Sequence, residues 1–178
     1  MISFATAYRA SQLSVERMRY HVADRCTSPA LIRAAVVYQA MLWLHTPYHH
    51  AARIKHVGVD CAQLLCAVFE EVGLVPPIDT GSYPADWHLH RSEEIFTGWL
   101  ARYAHPVTDG AAAMLPGDVL LFQFGRCFSH ASIVVSDPET EVIVAHAYLR
   151  RGVILSRLTE LPLAGRPVQH WSLFEREA

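Results

Sequence analysis

The segment Gly-Val-Asp-Cys-Ala-Gln-Leu-Leu-Cys-Ala-Val-Phe-Glu-Glu-Val-Gly, residues 58–73, holds the clearest helical pattern of the chain. Leu64, Val68 and Val72 recur every four residues, which is the spacing of a helix that packs one face on a core. Gly73 supplies the stop, because glycine readily adopts the left-handed conformation that ends helices. The pattern predicts a helix that begins at the first cysteine of the segment and ends before this glycine.

Two further helical patterns flank this segment. Residues 29–44 follow Ser28, which with the proline after it makes a cap and a first turn. Their apolar positions are Leu31, Ala34, Ala35, Tyr38 and Leu42. Residues 92–103 have Ser92 as a cap, and their apolar positions are Ile95, Phe96, Trp99 and Leu100. We expect loops at residues 46–59 and 76–90.

After residue 116 the periodicity changes from helical to extended. Short β-branched runs are separated by turn sequences, and they occupy residues 119–124, 130–136, 142–147, 153–158 and 168–171. Helices followed by hairpin-linked strands predict an α+β domain, with the N-terminal helices packed on a five- to six-stranded antiparallel sheet. We assign residues 29–178 to this domain and residues 1–28 to an N-terminal extension of unknown role.

Composition excludes several classes of protein. The chain has 178 residues, of which 52% are hydrophobic and 18% charged, a balance that excludes intrinsic disorder. A net charge of −2 gives no basic stripe for nucleic acid. The longest apolar stretches are too short to span a membrane, and the first twenty residues do not read as a signal peptide, so we expect synthesis in the cytoplasm. Four cysteines without a C-x-x-C pair predict free thiols. No feature indicates an oligomeric state.

Cys61 is the candidate nucleophile. It opens the predicted helix, where unpaired amides and the macrodipole stabilise a thiolate and lower the pKa of a thiol. The alternative is a small buried apolar residue, the usual role of a free cysteine. Cys66, in the middle of the same helix, has no such advantage and is predicted to belong to the core.

Two histidines are candidates for the base and its orienting group, both of which a nucleophilic cysteine needs. His130 begins one predicted strand, and His146 lies near the end of the next. If the connecting turn centres on Pro138, the two histidines are directly opposite, with Cβ atoms about 5 Å apart on one face. A shift of one residue would place the rings on opposite faces.

The remaining candidates are weaker. His49, His50, His88 and His90 are possible metal ligands by type, but no H-x-x-x-H helix or carboxylate cluster completes a tetrahedral site, so we predict no metal. Tyr48 lies thirteen residues before Cys61. It serves either as packing or as a phenol that donates to an oxyanion.

The chain resembles the NlpC family of papain-like cell-wall cysteine peptidases over residues 29–174. The segments that carry the resemblance, in the family's order, are 46–48 (Thr-Pro-Tyr), 58–64 (Gly-Val-Asp-Cys-Ala-Gln-Leu), 116–122 (Pro-Gly-Asp-Val-Leu-Leu-Phe), 129–134 (Ser-His-Ala-Ser-Ile-Val) and 145–147 (Ala-His-Ala). Residues 83–87 (Tyr-Pro-Ala-Asp-Trp) also resemble a loop of phage and prophage tail-associated members.

The resemblance implies a papain-like α+β core and a catalytic triad. Cys61 would be the nucleophile, His130 the general base and His146 the polar residue that orients it. Tyr48 would help to hold the oxyanion, together with the backbone amide of Cys61. The implied reaction is hydrolysis of an amide bond in peptidoglycan stem peptides, typically next to D-glutamate and a diamino acid, with neither a metal nor an organic cofactor.

One position departs from the family pattern. Many members have serine after the cysteine, where it and the preceding aspartate recognise a free amine of the stem peptide, whereas this chain has Ala62. Asp60 either retains part of that recognition or caps the helix. Tyr83 and Trp87 either shape the substrate groove or pack.

Two other functions fit the same residues. One is a phage tail-tip assembly protein with minor or no catalysis, bound to other tail proteins. The other is an amidase or acyltransferase acting on another amide. The lack of a signal peptide fits delivery to the cell wall on a virion.

Overall fold

The computed structural model describes residues 28–85, 94–109, 113–137 and 139–175. The helices in this part of the chain are α1 (Pro29–Leu42), α2 (Cys61–Val72) and α3 (Ile95–Leu100). The strands are β1 (Arg53–Ile54), β2 (Gly58–Val59), β3 (His105–Pro106), β4 (Val119–Phe124), β5 (Cys127–Val134), β6 (Ile143–Tyr148), β7 (Gly152–Arg157) and β8 (Val168–Ser172). No helix in the described residues is long and apolar enough to cross a membrane.

Six of these strands form one antiparallel sheet in the order β3-β8-β4-β5-β6-β7. The short strands β1 and β2 pair separately with each other. Helices come first along the chain and pack on the sheet that follows, so the predicted α+β class is confirmed. It is the architecture that the family resemblance implies.

The first four residues of β4, Val-Leu-Leu-Phe, are all apolar and all buried. Val119 and Leu121 belong to the main core, which the helices α1 and α2 share with the sheet. Leu120 and Phe122 point to the other face and pack with Leu163 in a smaller cluster. A central strand that is covered on both faces loses the alternation of a half-exposed one.

Helix α2 has the two ends that its sequence predicts. The Asp60 side chain caps it by accepting a hydrogen bond from the Gln63 amide at 2.9 Å. Gly73 follows its last residue with φ of 81°, a left-handed conformation that favours glycine. Helix α2 packs on α1, β5 and β6, and this position brings Cys61 against the sheet.

Helix α1 exists, but the apolar stripe that predicted it faces outward. Leu31 and Tyr38 are 61% and 64% exposed, while the buried side chains lie on the opposite face and include Arg33 and Val36. The helix ends at Leu42, two residues earlier than predicted, and the nearby turn directs the amide of residue 45 to β7.

Other boundaries also differ from the prediction. Helix α3 is shorter than residues 92–103, because residues 101–103 form a tight turn that leads into β3. Glu94 stands at its N-cap, and the predicted cap Ser92 lies outside the described residues, as do residues 1–27. The predicted loop at 46–59 contains β1 and β2. Strand β3 was not predicted, since two residues give no pattern.

The predicted strand at 119–124 coincides with β4, and the others shift by one to three residues. The largest shift is in β5, which begins at Cys127 instead of residue 130. Gly125, with φ of 73°, lies in the tight turn that joins Phe124 to Cys127, the last pair of the β4–β5 ladder. The turn therefore starts β5 earlier than its β-branched run suggests.

Candidate active site

A cleft of about 450 Å³ opens between the N-terminus of α2 and the sheet. Five of the residues predicted for the site line it: Tyr48, Asp60, Cys61, Tyr83 and His130. His146 lies behind this wall and is fully buried. Trp87 lies outside the described residues. The fold thus gathers in one place residues from the loop before β1, the start of α2, the loop after it and the strand β5.

Cys61 lies half-buried with its sulphur against the backbone of β5. The thiol donates a hydrogen bond to the Ser129 carbonyl, with 3.8 Å between the heavy atoms. Burial, and to a smaller extent the Asp60 carboxylate, raise the pKa of the Cys61 thiol to about 12. Backbone amides act in the opposite direction, and that of Ala131 has the largest effect among them. The predicted lowering by the helix N-terminus is therefore outweighed. The thiol is neutral at pH 7, and its proton must be taken by a base.

His130 and His146 are in direct contact. The Nε2 atom of His130 lies 2.8 Å from Nδ1 of His146, and the two rings are almost perpendicular, with 5.0 Å between centroids. On its other side, Nε2 of His146 lies 2.9 Å from the Ser156 hydroxyl oxygen. Burial lowers the pKa of His146 to about 4, and the charge of Arg151 acts in the same direction. At pH 7 His146 is thus a neutral imidazole with one donor and one acceptor.

The register of β5 and β6 corrects the predicted geometry. Ile133 pairs with Ala145 and Val134 with Val144, a register two residues away from the one that would oppose the two histidines directly. Direct opposition of His130 and His146 is therefore wrong. Because side chains alternate with a period of two, the shift leaves both rings on the same face as diagonal neighbours, and so they still meet.

The cleft wall around His130 also contains two aromatic rings, which no motif in the sequence indicated. The ring centroids of Phe124 and Tyr148 lie 5.0 Å and 5.9 Å from that of His130, and both residues line the cleft. Packing on two sides restricts the orientation of the imidazole. Tyr148 lies two residues after His146, on the same face of its strand, which is the one sequence signal for it.

Asp60 is buried and holds several donors together. Its Oδ2 atom accepts hydrogen bonds of 2.7 Å from the Ala51 amide and from the Tyr83 hydroxyl, and it lies 3.3 Å from Nδ1 of His50. Its Oδ1 atom caps α2 through Gln63. The capping role, one of its two sequence interpretations, is therefore present, and the carboxylate also ties the loop before β1 to the helix.

Tyr83 fastens the loop after α2 to the start of this helix. Besides donating to Asp60, the Tyr83 hydroxyl accepts a hydrogen bond from Nε2 of Gln63 at 3.2 Å. The backbone carbonyl oxygen of Tyr83 lies 2.7 Å from Nε2 of His50. Burial and the hydrogen bond to Asp60 raise the pKa of the Tyr83 hydroxyl. Its edge contact with Trp99 extends the anchor to α3. Tyr83 thus shapes the cleft as a fixed, packed side chain.

Tyr48 stands on the cleft wall next to Cys61. A single bridge to Val59 fixes its backbone. Burial raises the pKa of its hydroxyl, and the nearby Cys61 and Asp60 add to this effect. The hydroxyl therefore keeps its proton at pH 7 and is a neutral donor, as an oxyanion site requires.

The two described histidines that were considered as metal ligands have other contacts. His50 contacts Asp60 and Tyr83. His49 packs on Gly58 so closely that a Cβ atom there would lie 2.7 Å from its ring. In the described ranges no group of three or more His, Cys, Asp or Glu side chains is placed to hold a metal ion, and His88 and His90 fall outside them.

Comparison with known proteins gives a likeness among solved structures. No family model matches the chain, and no curated protein matches it. Among solved structures, it is similar to the NlpC/p60 domain of the peptidoglycan hydrolase SagA, with 17% sequence identity and a TM-score of 0.49. The alignment covers 77% of this chain and 96% of that one.

Proposed function

We propose that this protein is a cysteine peptidase in which Cys61 attacks an amide carbonyl and His130 transfers the protons. One observation carries the proposal: the cleft holds a cysteine thiol and an imidazole whose far nitrogen lies 2.8 Å from a second, buried imidazole. A thiol, a base and a group that orients the base are the three parts of a thiol-dependent acyl transfer.

The first step forms an acyl-enzyme. His130 takes the proton of the Cys61 thiol, and the sulphur forms a bond to the scissile carbonyl carbon. The carbonyl oxygen becomes an oxyanion, to which the Tyr48 hydroxyl and the Cys61 amide donate hydrogen bonds. His130 then gives its proton to the leaving nitrogen, the carbon–nitrogen bond breaks, and the amine departs.

The second step releases the acid. His130 takes a proton from a water molecule, whose oxygen attacks the thioester carbon. The resulting tetrahedral intermediate expels the sulphur of Cys61, which regains its proton from His130. In both steps His130 thus carries the proton from the nucleophile to the leaving group, and the reaction balances without a cofactor.

The substrate that we propose is a peptidoglycan stem peptide, cut between D-glutamate and the diamino acid. The support is the family resemblance of residues 58–64, 116–122 and 129–134. Asp60 already accepts three hydrogen bonds and lacks the serine hydroxyl beside it, since Ala62 follows the cysteine. Recognition of the free amine therefore falls to other groups than in relatives with serine. The segment 83–87 supports an association with phage or prophage tails, which would bring the protein to the cell wall.

The test is incubation of the purified protein with bacterial peptidoglycan, followed by mass spectrometry of the released fragments. We expect D-glutamyl–diamino acid cuts with the wild type, none with Cys61→Ala, and wild-type levels with Cys66→Ala, the matched control on the same helix. Equal loss in both variants would contradict Cys61 as the nucleophile. No cuts by a wild type whose Cys61 still reacts with a thiol probe would reject the substrate and retain the enzyme.

A further inference from the structure

Ser156 on β7 contacts the proposed catalytic machinery from behind. Its hydroxyl oxygen lies 2.9 Å from Nε2 of His146, and both side chains are buried, with relative exposures of 6% and 0%. Neither His146 nor Ser156 lines the cleft. Ser156 contacts the nitrogen of His146 that faces away from His130. The hydroxyl therefore has no access to a substrate in the cleft and can act on the reaction only through His146.

The hydrogen-bond pattern of His146 is fixed by the reaction. When His130 holds the thiol proton, both of its ring nitrogens carry hydrogen, and its Nε2–H faces Nδ1 of His146. A neutral imidazole has one acceptor and one donor nitrogen. Nδ1 of His146 must then be the acceptor, so its own proton lies on Nε2 and points at the Ser156 oxygen.

An acceptor for the Nε2–H of His146 lowers the free energy of the state in which Cys61 is a thiolate and His130 an imidazolium. A buried N–H group that has lost its partner keeps the full penalty of desolvation. A hydroxyl accepts from Nε2–H in the charge-separated state, and by rotating it can donate to a bare Nε2 in the other tautomer. An apolar side chain at position 156 could do neither.

We propose that Ser156 is a positioning residue, whose hydroxyl accepts the Nε2–H of His146 and thereby stabilises the imidazolium of His130 during proton transfer. The inference rests on the proposed function, because it takes Cys61 and His130 as the reacting pair. It extends the proposed triad to a fourth residue from another strand, giving the chain Cys61, His130, His146 and Ser156.

Other ionisable groups also face this row of four side chains, and a substitution at position 156 leaves them unchanged. The loop before β1 contributes Tyr48, His49 and His50, and the start of α2 contributes Asp60. The end of β6 contributes Tyr148, and the β6–β7 turn contributes Arg151. A change in the pH profile between variants at position 156 therefore reports on the hydroxyl and not on these groups.

The test compares Ser156→Thr with Ser156→Val, which have nearly the same shape and differ in the hydroxyl. The measured quantity is the rate of Cys61 alkylation by iodoacetamide between pH 5.5 and pH 10, read by tandem mass spectrometry. This rate requires no peptidoglycan. We expect the Thr variant to react within about twofold of wild type, and the Val variant to react about tenfold more slowly at pH 7, the loss for one buried donor without a partner. The gap should narrow toward pH 10, where hydroxide removes the thiol proton directly.

The outcomes separate the inference from the proposed function. Equal rates for Thr and Val, or a ratio that stays constant across the pH range, overturn the role of Ser156 alone. A wild-type Cys61 that reacts at pH 7 no faster than Cys61 in His130→Ala overturns the Cys61–His130 pair, and the inference with it. If the Val variant does not fold, by its thermal unfolding curve, Ser156→Ala compared with wild type gives the same readout without an added methyl group.

Discussion

Cys61 illustrates what position in a helix does and does not determine. A cysteine at the first residue of α2 gains from the local amides, yet burial and the neighbouring Asp60 carboxylate raise the pKa of its thiol to about 12. The sequence shows the helix start and not the burial, so it predicts the wrong direction for the pKa. In the proposed mechanism, a neutral thiol makes the reaction depend on general-base catalysis by His130, instead of on a preformed thiolate.

At the residue scale, Tyr48 gives a clean test of oxyanion stabilisation. Tyr48→Phe keeps the ring and its packing and removes only the hydroxyl, which the raised pKa of this group keeps protonated at pH 7. We expect kcat on peptidoglycan fragments to fall by about 10²-fold, the usual loss for one oxyanion donor, with little change in KM. Steady-state kinetics measure both quantities.

The control for Tyr48→Phe is Tyr103→Phe, because Tyr103 is an exposed tyrosine that does not line the cleft. This variant should keep wild-type kcat. A loss at position 48 that appears mainly in KM would assign the Tyr48 hydroxyl to substrate binding and contradict its role in stabilising the oxyanion.

At the scale of secondary-structure elements, the sequence predicts what is local. Both ends of α2 follow from Asp60 and Gly73, and β4 follows from its apolar run. The register of β5 against β6 does not, because it depends on the geometry of the connecting turn. For the same reason the contact of His146 with Ser156 could not be found: it requires the alignment of β6 with β7, in which Val144, two residues before His146, pairs with Ser156.

The orientation of α1 is the other feature that the local pattern misses. Its spacing of Leu31, Tyr38 and Leu42 predicts a helix correctly, yet the face that packs on the core carries Arg33 and Val36. A buried arginine is unexpected from sequence alone, since arginine is rarely buried unless it is paired. Its partner, Asp118, is 85 residues further along the chain.

This buried pair joins α1 to the sheet. Asp118 is fully buried and accepts hydrogen bonds from Arg33 at 2.9 Å and from the Ser172 hydroxyl at 2.9 Å, while Nε2 of His170 lies 2.7 Å away. Burial alone would raise the pKa of Asp118, but the hydrogen bonds from His170 and Arg33 outweigh it and hold the pKa well below its usual range. The carboxylate thus keeps its charge throughout the pH range in which the enzyme would act.

We therefore expect Asp118→Ala to lower the free energy of unfolding by about 3–5 kcal/mol, because it leaves the Arg33 guanidinium without its buried counter-charge. Urea unfolding at pH 7 measures this loss. The matched control is Glu141→Ala, which breaks the ion pair between Glu141 and Arg157. Both of these side chains are about half exposed. That change should cost less than about 1 kcal/mol. Similar costs at the two sites would contradict the buried network as the link between α1 and the sheet.

At the scale of the whole molecule, the candidate site exists only where the helical layer meets the sheet. Cys61 comes from α2 and His130 from β5, and both elements contribute to the main core, the helix through Leu64 and the strand through Ile133. The motifs that carry the family resemblance name the proposed reacting residues, because each motif is a short local pattern. They do not name Phe124, Tyr148 or Ser156, which reach the site only through the assembled sheet.

The buried imidazole behind that interface also links the stability of the whole fold to pH. The pKa of His146 is about 4 in the folded protein, against 6.5 for an unperturbed histidine. Between these values the unfolded chain binds a proton that the folded chain does not, so stability falls as the pH decreases through this window. Above about pH 5 Asp118 adds nothing to this slope, because there its carboxylate is ionised in both the folded and the unfolded state.

From pH 7 to pH 5 we expect His146 to cost the wild type about 2 kcal/mol of unfolding free energy. His146→Gln retains a buried polar side chain of similar size without a titrating group, so its stability should fall by less over the same interval, even if it starts lower. Urea unfolding at pH 7, 6 and 5 gives both slopes, and His105→Gln, a change at an exposed histidine, should keep the wild-type slope. Parallel curves for wild type and His146→Gln would mean that His146 is protonated at nearly the same pH in both states.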